Sequence, residues 1–156
     1  PLPGRGLYSE DGQGMDILQS AFIFALVLCA LYAGINGGRT GRAGAAIFIV
    51  ATILSAAAAT MNPSWATTSY GLFAVDGGCL LSLLVLALNS NRYWPIWAMG
   101  FQTVAVATHM ATLWLPDFLP KSYQALLSFW AIPILWVMVM GTRKDRQYER
   151  GKVQLA

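Results

Sequence analysis

A chain of 156 residues with 56% hydrophobic and only 11% charged side chains departs from a soluble domain, where about a quarter of residues carry charge. Its formal charge of +3 is unevenly spread, and no Lys, Arg, Asp or Glu interrupts 17–35, 43–61 or 94–115. Such runs match the roughly 20 residues that cross about 30 Å of hydrocarbon. They exclude a water-soluble globular enzyme and predict an all-α integral membrane bundle, with membrane lipids rather than nucleic acid around it.

Residues 1–15 read as an extramembrane N-terminal tail, of which 1–14, ahead of Met15, look unstructured. The first predicted span is 16–35, "DILQSAFIFALVLCALYAGI". Glu10, Asp11 and Asp16 precede it instead of a basic cluster, so it reads as a retained helix and not a cleaved signal peptide. The second span, 43–61, carries Ala51, Ser55 and Ala59 at four-residue spacing, a small-residue face that lets helices approach closely in lipid. Gly77 and Gly78 are expected to do the same for the third span, 70–89. The fourth covers 93–115 and the fifth 123–142, where Pro133 removes a backbone donor and predicts a kink. Residues 143–156 form a basic tail, read as an anchor on anionic lipid. The connectors 36–42, 62–69, 90–92 and 116–122 are short and rich in Gly, Pro, Asn and Ser, as turns between antiparallel helices should be.

Charge placement agrees with five spans. One side collects Arg39, Arg42, Arg92, Arg143, Lys144, Arg146, Arg150 and Lys152, the other only Arg5 and Lys121. Eight against two places the N-terminus outside and the C-terminus inside. This orientation predicts a multi-pass protein of a bacterial cytoplasmic (inner) membrane. Tyr93, Trp94 and Trp97 then fall at the inner interface, with Trp65, Tyr70, Trp114 and Tyr123 at the outer one, forming the expected aromatic belts. Cys29 and Cys79 lie singly inside apolar runs and read as small buried hydrophobes.

Two ionisable side chains lie well inside the spans, Asp76 and His109. Each is six residues from the outer end of its span, a depth of about 9 Å. The third and fourth spans are joined by only three residues, 90–92, so the acid and the imidazole are predicted level on neighbouring helices. Gln102, His109 and Thr112 recur at spacings of seven and three and share a face. Gln124 and Ser128 stand one turn apart near the outer end of the fifth span. Together these predict an outward-facing polar pocket closed below by apolar packing. Asp76, His109, Gln102, Thr112, Gln124 and Ser128 are its candidate ligand or proton-relay residues. Intramembrane ionisable groups are costly to keep, which favours function; the alternative is that Asp76 and His109 satisfy each other and fix helix register.

Several chemistries were open to such a pocket. A proton relay would use the imidazole and the acid, although no inverted repeat supports alternating access. Zinc catalysis needs three protein ligands, and no third partner is evident. A Ser128–His109–Asp76 set can be drawn, but nothing constrains it. The segment "AVATHMATLW" resembles the stretch of bacterial light-harvesting polypeptides in which Ala-x-x-x-His supplies a bacteriochlorophyll ligand, with a Trp soon after. Ala105, His109 and Trp114 fit that pattern, over about ten residues, and light-harvesting polypeptides span the membrane once. The resemblance implies His109 as a tetrapyrrole ligand; haem would need a second donor, such as Met61 or Met110. The reading that requires nothing further is a non-catalytic accessory or assembly subunit, partnered by other membrane subunits or by itself.

Overall fold

The computed structural model describes the backbone of residues 8–61, 70–114 and 120–154, and the side chains of 20–60, 70–111 and 131–151. Five helices follow one another: α1 (Tyr8–Asn36), α2 (Gly38–Met61), α3 (Tyr70–Leu88), α4 (Trp94–Trp114) and α5 (Pro120–Gln154). No strand occurs among the described residues. Each helix packs on its neighbours in sequence, and α1 meets α5, so the five close into a ring.

Two helical stretches are long and apolar enough to be candidate membrane spans, Gly38–Thr60 and Tyr70–Leu88, with mean hydropathies of 2.0 and 2.1. Ser20–Asn36 is apolar over a shorter described length. In α4 the run is diluted by Gln102, Thr103, Thr108 and His109, two of which turn inward, as described below.

The helix ends differ from the expected connectors. The turn between α1 and α2 contracts to Gly37, because Gly38 takes φ +58°, a conformation open to glycine at little cost. Backbone bonds run from Gly37 N–H to Ala33 O and from Gly41 N–H to Gly37 O, both 2.8 Å. Arg39, Thr40 and Arg42 therefore belong to the first turns of α2, not to a loop. At the other end of the ring, α1 already begins at Tyr8. The stretch from 143 to 154 is helical as well. It is held in place by Arg92, which pairs with Asp145 (3.2 Å) and with Glu149 one turn on. Arg146 also donates to Asn36 Oδ1 at the end of α1. The basic segment is thus a docked helix extension, not a free tail.

The core brings together Leu26 and Ala33 of α1, Phe48 of α2, Cys79 and Leu83 of α3, Trp94 and Ala98 of α4, and Ile134, Leu135 and Met138 of α5. Trp94, 3% exposed, is a wedge inside the ring and not an interfacial belt residue. Its indole lies where a Cβ on Gly44 would stand, and its own Cβ lies against Gly141. The close approaches are therefore at Gly37, Gly41, Gly44 and Gly141. At Gly77 and Gly78 an added Cβ would meet nothing within 4 Å among the described residues, so no close approach is seen there. Of the other small residues, Ala51 packs on the core, Ser55 is half-buried and Ala59 is exposed. Both cysteines are free thiols.

Candidate functional site

The connection of α3 to α4 sets the register of the polar residues. Asn89 closes α3 by donating its side-chain amide to Val85 O at 2.8 Å, while its backbone N–H reaches the same carbonyl at 3.1 Å. Pro95 occupies the first turn of α4, where its missing N–H costs nothing. The two helices then run back antiparallel, and residues two turns apart on α4 face one level of α3.

At that level Asp76 stands between His109 and Gln102. His109 Nε2 lies 2.7 Å from Asp76 Oδ2, and Gln102 Nε2 donates to Asp76 Oδ1 at 3.0 Å. The same Gln102 amide reaches the Asp76 backbone carbonyl at 3.4 Å. Both carboxylate oxygens are thus engaged from one face of α4. The side chain of His109 is 2% exposed and that of Asp76 27%, so the imidazole is the enclosed partner and the acid the accessible one. Phe73, one turn before Asp76, meets the imidazole edge-on, with ring centroids 6.3 Å apart and planes at 65°. An acid, an amide and an imidazole so arranged can hold a proton between Nε2 and Oδ2. They can equally lock two helices in register.

The structure brings together Asp76, His109 and Gln102, of which the sequence predicts only the equal depth of the first two and the shared face of the last two, and adds two features. Gln102 binds Asp76 directly instead of merely sharing a face with His109. Phe73 was legible only as an apolar residue one turn from the acid. Thr112, Gln124 and Ser128 lie on α4 and α5, but their side chains fall outside the described residues, as does that of Trp114.

His109 Nε2 faces Asp76 and the ring is 2% exposed, so ligation of a tetrapyrrole through Nε2 would require that contact to open. Among the described residues no three His, Cys, Asp or Glu side chains gather as a metal site.

Thr112, Gln124 and Ser128, which would complete the polar pocket expected beside Asp76 and His109, lie outside the described side chains. A cleft of about 800 Å³ opens at the opposite, basic end of the bundle, among Arg39, Asn89, Asn91, Arg92 and Glu149. A second, apolar groove of about 560 Å³ runs between α1 and α2. The basic cleft escaped the sequence reading because its residues come from three separate chain segments. No family model, curated protein or solved structure matches the chain.

Proposed function

We propose that this is a five-span membrane protein, N-terminus outside and C-terminus inside a bacterial inner membrane, acting as a non-catalytic accessory or assembly subunit of a larger membrane complex. The apolar exterior supports the membrane setting. Phe24, Leu31, Ile53, Leu81, Val85 and Trp136 are among many large hydrophobic side chains left exposed around the ring, far beyond the apolar patches of a soluble monomer. Five hydroxyls are satisfied within their own helices: Thr52, Thr60, Ser82, Thr103 and Thr108 each donate to a carbonyl three or four residues back. Lipid demands that kind of internal satisfaction.

The observation that carries the subunit role is the groove between α1 and α2. Its floor is made by Ala30, Gly34, Ala45 and Ala46, and its walls by Ile23 and Ile53. Small residues recessed between larger ones accept a second helix by close packing, a main source of association in lipid. Gly34 offers a clean test, since a Cβ there would meet nothing within 4 Å. Gly34→Leu should fold and still fill the groove. Purified from membranes in mild detergent, the native chain is expected to carry a partner subunit or a second copy, detected by native mass spectrometry. Gly34→Leu should lose it. A native chain that purifies alone as a monomer overturns the subunit role.

A second reading rests on the 2.7 Å contact of His109 with a partly accessible Asp76, which suits a proton relay. Asp76→Asn would then abolish proton-driven uptake or leak in reconstituted vesicles. Unchanged flux leaves the pair with its structural role alone.

A further inference from the structure

The basic cleft combines three features that point to one ligand chemistry. It lies between the first turns of α2, the α3–α4 connector and the last part of α5, and is lined by Arg39, Thr40, Ser90, Asn91, Arg92 and Glu149 among others. At about 800 Å³ it is within the size range of ligand pockets.

The first feature is the charge of α2. Arg39 and Arg42 fall in its opening turns, and no acidic residue does. Helix N-termini carry positive partial charge and favour anionic side chains there. Arg42 is met by the Gly34 carbonyl at the end of α1, whereas Arg39 adds its charge to this positive end with no acidic residue in the first turn. The second is the division of labour between the cations. Arg92 is braced by Asp145 and Glu149, which fixes one wall. Arg39 is exposed and makes no ion pair or hydrogen bond among the described residues. The third is Ser90. Its Oγ is shut from solvent and has no hydrogen-bond partner among the described residues, a state that buried hydroxyls rarely keep.

We infer that the cleft binds a phosphate group, carried either by a membrane phospholipid headgroup or by a soluble phosphate compound. Arg39 supplies the guanidinium fork that matches phosphate oxygens. The free N–H groups of the first turn of α2 add backbone donors, the hydroxyl of Thr40 joins them, and the unpartnered Ser90 Oγ reaches the ligand by a turn of its side chain toward the cleft. Glu149, tied to Arg92, forms the far wall and holds that wall in place. This site is independent of the subunit role, and either can fail without the other.

The test uses the full chain, delipidated in detergent, in two arms. Inorganic phosphate is titrated in one, followed by 31P line broadening. In the other, the chain is equilibrated with mixed phosphatidylglycerol and phosphatidylcholine vesicles, and retained lipid is counted by native mass spectrometry. Saturable binding in the first arm assigns a soluble phosphate compound; retention of phosphatidylglycerol without it assigns the lipid headgroup. In whichever arm binds, Arg39→Gln should weaken binding about tenfold or more, the loss of a charged hydrogen bond. Ser90→Ala should weaken it by a smaller factor. Arg143→Gln removes an equal charge from an exposed position outside the cleft and should change it less than about twofold. If Arg39→Gln fails to fold, Thr40→Val carries the same comparison. An equal loss in Arg143→Gln overturns the site in favour of diffuse attraction, and no saturable binding in either arm overturns it outright.

Discussion

At the level of Asp76, the α3–α4 pair is joined by three polar side chains; fifteen residues along α4 from His109, the same helix is anchored by Trp94. The separation is about 22 Å, and the two regions achieve cohesion by different physics. At the polar level a carboxylate is met by an imidazole at 2.7 Å and an amide at 3.0 Å. Its strength depends on low dielectric and on every partner being present. At the basic end, a single aromatic body fills a slot made by Gly44 and Gly141, and cohesion depends on shape. Around it the Arg92–Asp145–Glu149 cluster lies toward solvent, where ion pairs contribute little. The contrast separates specificity from bulk stability: the polar level fixes which residues of α3 and α4 face each other, and the wedge supplies the packing.

Removing the wedge should therefore cost most. Trp94→Ala leaves a large void between α2, α4 and α5, and is expected to destabilise the fold by about 3–5 kcal/mol. Denaturant or thermal unfolding in detergent micelles checks it. A loss below about 1 kcal/mol would mean that the ring collapses onto the space, and that shape is not what holds the basic end.

The polar level should show coupling where the wedge shows size. His109→Leu leaves Asp76 with one side-chain partner. The expected loss is about 2–3 kcal/mol, below the 3–5 typical of fully buried pairs because the Asp76 side chain is 27% exposed. Asp76→Asn in the His109→Leu background should recover part of that loss, giving a coupling energy of about 1–2 kcal/mol in a double-mutant cycle. Additive single effects would show that the two side chains are neighbours without being partners.

Much of this contrast was legible in the sequence at one end only. Equal depth and a three-residue connector place Asp76 beside His109, because helix rise converts residue counts into distance. Helix rotation is not encoded that way, so the bridging role of Gln102 appears only in three dimensions. The basic end was hidden for another reason. Trp94 beside basic residues matches an interfacial belt by composition, and its partners Gly44 and Gly141 are 50 and 47 residues away in sequence. Small-residue spacing within α2 and α3 pointed to packing, but the glycines that admit a close neighbour are those facing Trp94 and the α1–α2 turn. The connector "NGGRTGR" reads as a loop by its glycines. Two of those glycines instead allow the chain to reverse in so few residues that the arginines become helical.

The smallest effect belongs to the solvent-facing cluster, and its sign is diagnostic. Burial pushes the Asp145 carboxyl above its ordinary value, and the adjacent Arg92 guanidinium pulls it back without cancelling the rise. An acid whose pKa is raised on folding binds its proton more readily in the native state, so stability improves as pH falls toward the ordinary carboxylate value near 4. Above that window the ionised Asp145 is a net cost. Asp145→Asn should therefore be neutral or slightly stabilising at pH 7, within about 1 kcal/mol, although it deletes an ion pair. It should also flatten the rise in Tm expected of the native chain as pH falls toward the ordinary carboxylate value near 4. Arg92→Gln does the reverse, removing the guanidinium that pulls the Asp145 carboxyl down and steepening that rise. Parallel pH profiles for the two variants would mean that Asp145 ionises as freely in the folded chain as in the unfolded one, and that the basic end owes its cohesion to Trp94 without electrostatic correction.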